Sequence, residues 1–566
     1  MIDLQKLKEI LEKERELAVT DIAKKVFRAK VVESGVISTL ECKNASYFNS
    51  GDVVGVFEEG DVKELGTVLD SKGKILTIYT HWQLDGEIQI LDYEPLIALD
   101  LQIDFIERIN KKRLSELEES CVNVFIGKNY KELRKVKIEK DPSGIKLDYS
   151  QTDAVECALA LEDSEILLIK GPPGTGKTTV IAEIAKELSK NERVMIASHT
   201  NRAVDNAIEK LPLKDTLRVG RPEKVSSEVK EYLLSYKARK KLGNQIENIE
   251  ADIENYLRSG DRNKLLEVSR LLEKRNEMLR KASEDVLLNS KVVGTTLVKS
   301  NLFPLKNFDF DTVIIDECNQ ASITLALLGM KKGRKYVLVG DDMQLPPIFR
   351  VIKNCGQLSS FGFFLKKYPE RMKMLKIHRR CHPEIIGFSA NYIYNGEVVA
   401  EESCLNQKLK IDTKNPILDP EKPLVFVHVD GEEEKEGLSK FNKKEIEVCK
   451  ELADEMRDLK VDFSVITPYI QQKKRMEKLN IPADTIDAFQ GREKDAIIFS
   501  VTATKNLEFA AEPRRLNVAI TRARKKLVVL SNAHAILKNR RNLLYKFFIY
   551  THKLRRIYDW ENKRWM

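Results

Sequence analysis

One stretch, IKGPPGTGKTTV over residues 169–180, constrains the fold more than anything else in the chain. Gly171, Gly176, Lys177 and Thr178 stand at the spacing G-x-x-x-x-G-K-[ST] of a phosphate-cradling loop. The apolar run EILLIK precedes it and the helical pattern TTVIAEIAKELSK follows. Strand, glycine loop and helix in that order make a βα unit, which requires a parallel sheet. Chance supplies the residue pattern in about one of fifty chains of this length, and an ordinary βα turn gives no reason for Lys-Thr at its end. The loop Gly171-Pro172-Pro173-Gly174-Thr175-Gly176 and the helix start at Lys177, Thr178 and Thr179 would hold a phosphate by backbone N–H groups. Lys177 would reach the β and γ phosphates and Thr178 a Mg²⁺ ion, so ATP and Mg²⁺ are the expected ligands.

A second stretch, VIIDECNQAS over residues 313–322, runs three aliphatic residues into paired acids. Alone, Asp316 and Glu317 read as a strand surfacing into water. Behind a phosphate loop the odds reverse, because the γ-phosphate lies beyond the end of such a strand. Asp316 then suits the metal and Glu317 the attacking water. A third strand, YVLVGDDMQLPP, ends in Gly340, Asp341 and Asp342, with Gln344 two residues on. A side-chain amide there would sense the γ-phosphate, although Gly-Asp-Asp and Pro-Pro are also common turn residues.

Elsewhere the patterning changes. The start, MIDLQKLKEILEKERE, is a charged amphipathic helix and has no signal-peptide character. Residues 28–100 alternate in short stretches such as VGVFEE and KILTIYTHW, punctuated by Gly51, Gly60, Gly66 and Gly73, which predicts a small β-barrel or sandwich. Between 228 and 284 two narrow apolar seams, Ile246-Ile249-Ile253-Leu257 and Leu265-Val268-Leu272-Leu279, flank a turn at Ser259-Gly260-Asp261. They predict a helical hairpin roughly 40 Å long at about 1.5 Å per residue. Strand and helix alternate again through PLVFVHVD, DFSVITPY, DAIIFSVT and KLVVLSN, a second α/β set.

The 566 residues therefore call for several domains, and the balance of 96 basic against 87 acidic residues, net +9, weakly favours a polyanionic partner. Eight scattered cysteines form no C-x-x-C pair, which points to a reducing compartment and gives no zinc spacing. No apolar run approaches the roughly 20 residues that span a bilayer. The expectation is a soluble intracellular protein, cytoplasmic, or nuclear if the source is eukaryotic.

The ordered motifs DECNQAS, GDDMQLPP, RRCHPEI, VITPY, DAFQGREKD and VAITRAR, after the phosphate loop, resemble those of the superfamily 1B helicases. The likeness is to the group containing the nonsense-mediated decay helicase and the immunoglobulin mu-binding protein helicase, and it covers about residues 147–535. It implies two tandem RecA-like P-loop domains, α/β in class, with a small β-barrel and the long helical hairpin associated with the first. The expected layout is an N-terminal helix at 1–27, barrel at 28–100 and helical connector at 101–146. The first RecA-like domain follows at 147–368, with its hairpin insertion at 228–284. The second spans 369–537, and a basic-aromatic tail occupies 538–566. By the same resemblance Gln151 contacts adenine and Tyr469 stacks on the base. Arg380 and Arg522 approach the γ-phosphate, and Gln490, Gly491 and Glu493 couple the two clefts. Arg379 reads as surface or phosphate-contacting charge. Arg379 and Cys381 stand where the family's Y-R-M-H-P motif carries an aromatic residue and methionine.

For nucleic acid, SHTNRAVDNA places Thr200 and Asn201 at a strand–helix turn, and VVGTTL offers Thr295 and Thr296. Each reads about equally well as a helix cap without the family. The implied function is an ATP-driven helicase and translocase on single-stranded DNA or RNA, 5′→3′ by resemblance, acting on tailed duplexes as a monomer. An ATP-gated clamp or ribonucleoprotein remodeller that does not unwind is the alternative, and a P-loop ATPase unrelated to nucleic acid is a third reading.

Overall fold

The computed structural model describes residues 3–44, 48–49, 51–58, 61–127, 132–138, 146–258, 265–352 and 355–566. The apolar runs found in the sequence become two parallel sheets. In the first, the spatial order is Met372–Met374, Ile166–Lys170, Lys335–Gly340, Thr312–Asp316, Val194–Ser198, Val292–Thr296 and Thr216–Arg218. Its central strands are buried on both faces, as near-continuous Val/Ile/Leu runs demand. One layer below holds Val180, Ile181 and Ile184 of the helix Lys177–Leu188. The other holds the wholly buried helix Ile323–Met330.

Six strands between Phe27 and Asp92 close into a barrel around Leu40, Val54, Leu76, Ile78 and Ile90. The helix Leu4–Ile22 packs beside it and beside Glu94–Asn110, where Arg15 bonds Asp100, Asp61 and the Val62 carbonyl. Arg221, in the loop after Thr216–Arg218, ion-pairs with Asp52 and Glu94 and so ties the barrel to the first sheet. The expected hairpin is present as Leu234–Leu242 and Asn244–Arg258 against Leu265–Leu288, with Ile249, Ile253 and Leu272 in its seam. Gly60, the turn Ser259-Gly260-Asp261 and the side chains of Leu257, Leu265 and Val268 lie outside the described residues.

The second sheet runs Ala483–Thr485, Phe463–Thr467, Lys494–Ser500, Ala523–Ser531, Leu424–His428, Ile557–Asp559 and Arg564–Trp565, all parallel except the last. Two boundaries differ from the sequence expectation. Met372–Met374, beyond the predicted start of the second domain at 369, pairs with Leu168–Lys170 and belongs to the first sheet. Nor are residues 538–566 a tail. The helix Leu543–Lys553 buries Phe547 and Phe548, and the strand after it extends the second sheet. Aromatic residues at that density find more stabilisation in a core than in water.

Candidate functional site

The loop after Ile166–Lys170 has the backbone that its glycines require. Gly174 and Gly176 hold φ of +75° and +84°. A Cβ on Gly174 would lie 2.6 Å from Cβ of Arg380, and one on Gly176 2.4 Å from Nε2 of Gln151, so side chains are excluded there for space as well as conformation. Thr175 Oγ1 donates to the Pro172 carbonyl at 2.7 Å and steadies the turn. The Lys177 ammonium folds over the loop, donating to the Gly171 carbonyl at 2.9 Å and lying 4.0 Å from Glu317. Gly176 caps the helix Lys177–Leu188 without a side-chain bond, which leaves the first N–H groups open to an anion. Thr178 and Thr179 lie in that first turn, and Thr179 Oγ1 accepts from Lys210 at 3.0 Å.

The paired acids meet this loop. Asp316 ends its strand fully enclosed, and burial followed by the Glu317 charge pushes its carboxyl up to about 7, against the pull of Lys177. Glu317 adopts a left-handed φ of +50°, which turns its carboxylate toward Lys177. Gln320 steadies it by donating to Glu317 Oε2 at 2.9 Å. Such strain in a non-glycine residue collects at functional sites. Gln344 donates to Asp341 at 2.8 Å, and Asp341 also accepts from Tyr394 of the second domain at 2.6 Å. Asn517 in turn donates to the Tyr394 hydroxyl at 2.7 Å.

The second domain presents the N-terminal ends of its strands to this cleft. Arg522 precedes Ala523–Ser531 and Glu493 precedes Lys494–Ser500. Arg380 Nε lies 2.9 Å from Glu493, and its Nη1 donates to the Thr521 carbonyl at 3.4 Å. Burial and then the Arg380 charge lower the Arg522 guanidinium to about 10. Despite burial, which pushes the other way, Arg380, Arg524 and Arg522 hold Glu493 below the ordinary carboxylate range. Arg380 and Arg524 share the Glu493 carboxylate, at 2.9 and 3.3 Å, and Arg522 beside them donates to the Val518 carbonyl and to Thr521 Oγ1. Gly491 takes a φ of +80°, and Nε2 of Gln490 is buried without a hydrogen-bond partner.

Two residues that sequence reasoning missed, His378 and Tyr394, complete the cleft together with Arg379, which it read as surface or phosphate-contacting charge. His378 bonds the Pro173 carbonyl at 2.7 Å through Nδ1 and accepts from Cys381 N through Nε2, while burial lowers it to about 4. Arg379 is no loose surface charge. Its backbone N–H donates to the Gly174 carbonyl at 2.8 Å and its guanidinium bridges Asp148 and Glu401. Asp148 caps the helix that carries Gln151. The signal for these two was the charged HRRCHP stretch itself, whereas Tyr394 sits in no motif.

Two residues sit differently from expectation. Gln151 spends its amide on the Thr175 carbonyl at 3.1 Å and its oxygen on the Asp148 N–H, so it braces the loop. Tyr469 is corrected outright as a base-stacking residue for ATP. It follows the strand Phe463–Thr467, whereas Glu493 and Arg522 precede strands parallel to it. The ends are separated by the strand length, roughly 20 Å at about 3.3 Å per residue.

Of the residues expected to bind nucleic acid, Thr200 caps the helix Asn201–Ile208 and accepts from Ala203 N at 3.4 Å. Asn201 accepts from the buried Arg218 at 2.8 Å. Thr295 is fully buried and donates to the Val219 carbonyl, so it faces no ligand. Thr296, half-buried, accepts from Lys299 N at 3.3 Å. All four cluster at the C-terminal edge of adjacent strands of the first sheet.

Comparison with known proteins follows the same division of the chain. Two family models, each described as an AAA domain, match residues 146–350 and 357–534. Over 458 residues the chain is 30% identical to an uncharacterized ATP-dependent helicase, MJ0104, of Methanocaldococcus jannaschii, covering 70% of this chain and 69% of that protein. It is 31% identical over 455 residues to the DNA polymerase alpha-associated DNA helicase A of Saccharomyces cerevisiae, covering 69% and 65%. With the DNA-binding protein SMUBP-2 of Rattus norvegicus it shares 28% over 544 residues, 86% of this chain and 54% of that one. The chain thus spans about half the length of this last relative.

Proposed function

The chain belongs to the superfamily 1 helicases, in the group of the nonsense-mediated decay and mu-binding protein helicases, and on that premise we propose that it is an ATP-driven motor on single-stranded DNA or RNA. It moves 5′→3′ as a monomer and separates tailed duplexes. The observation that supports this most is that Arg380 stands against the phosphate loop with its guanidinium on Glu493, while the buried Arg522 lies near enough to feel the charges of Arg380, Glu493 and Glu317. Guanidiniums from one domain facing a phosphate cradle on the other make hydrolysis depend on how the two domains sit.

Lys177 and the loop N–H groups hold the phosphates. The donor set of Asp316 and Thr178, one carboxylate and one hydroxyl, fits a Mg²⁺ that keeps waters and phosphate oxygens as its other ligands. When bound, that ion neutralises charge on the phosphate oxygens. Glu317 orients the attacking water and takes its proton, while Gln344 places its amide at the γ-phosphate. Arg380 and Arg522 stabilise the charge that spreads over the phosphoryl oxygens. Thr200, Asn201 and Thr296 grip the strand's phosphates in the first domain. The buried free thiols of all eight cysteines suit a reducing interior. Among the described residues no helix is long and apolar enough to cross a membrane.

Steady-state ATP hydrolysis with and without single-stranded DNA or RNA tests this reading. The wild type should be stimulated, and Glu317→Gln should lose about 10²–10⁴ in turnover while still binding nucleotide. Hydrolysis indifferent to both polymers would sink the motor. Stimulation without displacement of a tailed duplex would instead favour a clamp.

A further inference from the structure

Once Tyr469 is removed from the nucleotide cleft, its surroundings need an explanation of their own. It borders a cleft of about 500 Å³ at the C-terminal edge of the second sheet. Phe509 stands across from it with ring centroids 5.7 Å apart and planes tilted by 44°. Each ring carries a cation on one side. Lys440 Nζ lies 5.6 Å from the Tyr469 centroid and Arg515 Cζ 4.0 Å from that of Phe509. Phe509 is 44% exposed. Arg515 Nε is buried with no hydrogen-bond partner. The hairpin Glu434–Glu436 and Ser439–Phe441 overhangs the cleft, pinned by Gln471 N donating to Ser439 Oγ at 3.2 Å, and its tip residue Leu438 is fully exposed.

The geometry points to this cleft as a pocket for one nucleobase of the bound single strand, stacked on Phe509 and Tyr469. The inference rests on the nucleic-acid reading above and adds a site to it in the second domain. Three observations favour a base over another occupant. The two aromatic faces and their cations offer stacking to a flat ring of any sequence. The Asn506 side chain on the wall, with the unpaired Arg515 Nε, can meet the polar edge that an apolar ligand lacks. Position is the third. Arg514, next to Arg515, donates to the Asp342 carbonyl at 2.9 Å, which joins this edge to the strand ends of the first domain. A strand held by Thr200, Asn201 and Thr296 at one edge has the pocket at the matching edge of the other domain. Glu508 and Glu512 also line the cleft and offset the charges of Lys435, Lys440 and Arg515, so the aromatic faces rather than net charge select the occupant.

Binding of a short fluorescent single-stranded oligonucleotide by the full chain tests the inference, with Phe509→Ala, Phe509→Trp and the wild type compared across salt concentrations. Phe509→Ala should weaken binding about tenfold, the size of one lost base–aromatic stack. It should leave the slope of log affinity against log salt unchanged, because no phosphate contact is lost. Phe509→Trp should restore affinity. A 2-aminopurine walked along the strand should be quenched at one position in the wild type and released there in Phe509→Ala. Wild-type affinity in Phe509→Ala, or a loss that alters the salt slope and is not restored by tryptophan, overturns the pocket alone. A wild type that binds neither DNA nor RNA strands overturns the proposed function, and the pocket with it.

Discussion

Glu445 shows how much one side chain can carry out of sight of the reaction. It sits wholly buried on the helix Lys443–Asp458, where its Oε2 accepts from Ser500 at 2.6 Å and from Thr502 N at 2.9 Å. Its Oε1 has no partner, and burial raises the carboxyl from 4.5 to about 8 despite those bonds. A raised folded-state pKa means that the native state holds the proton more tightly than the unfolded chain. The stability this group contributes is therefore complete below 4.5 and is lost as pH rises through about 8. Glu445→Gln keeps an oxygen for Ser500 and Thr502 and cannot ionise. Its melting temperature relative to wild type should climb across that interval, and a difference flat with pH would place the proton elsewhere. The proposed catalytic acids differ in kind. Asp316 and Glu317 were legible because an aliphatic strand running into paired carboxylates has few other uses behind a phosphate loop. Glu445 was not, because nothing local distinguishes a buried glutamate from the exposed ones of an amphipathic helix.

At the scale of elements, the helix Asn201–Ile208 depends on a residue outside every motif. Arg218 is fully buried at the end of Thr216–Arg218, donating to Asp205 at 2.7 Å, to Asn201 at 2.8 Å and to the Val219 carbonyl at 2.7 Å. Arg218→Met would strand the Asp205 carboxylate with only Ser226 N as partner. The expected cost is about 3–5 kcal/mol by guanidinium denaturation, part of which Asp205→Asn in the same chain should return. The helix and strand themselves could be read from SHTNRAVDNA and its neighbours, since period and turn chemistry are local. The brace could not, since 13 residues separate Arg218 from Asp205. Short strands escaped for a related reason. Met372–Met374 has three residues, too few for any period, and its sheet is chosen by pairing with Leu168–Lys170. Tyr469, by contrast, could have been placed from sequence, because VITPY trails its strand whereas GREKD leads into the next. The family resemblance overrode strand direction.

Across the whole molecule, the two sheets meet through a few polar contacts. Tyr394 links Asp341 to Asn517, Asn517 donates to the Met343 carbonyl at 2.8 Å, and His378 and Arg379 reach the phosphate loop. Tyr394→Phe removes only an oxygen, yet it leaves Asp341 and Asn517 each short of a partner. It should cost about 1–3 kcal/mol in stability and lower the ratio of strand-stimulated to basal ATP hydrolysis. An unchanged ratio would mean that the domains communicate elsewhere. One element already spans the distance. The helix Pro513–Thr521 has Arg514 and Arg515 at its first turn, against the first domain and the aromatic cleft, and delivers Arg522 at its last. Nine residues of helix are stiff over about 14 Å. On the proposed reading it works as a pushrod: a strand that shifts one end carries Arg522 at the other with it, and no relay of side chains is needed in between.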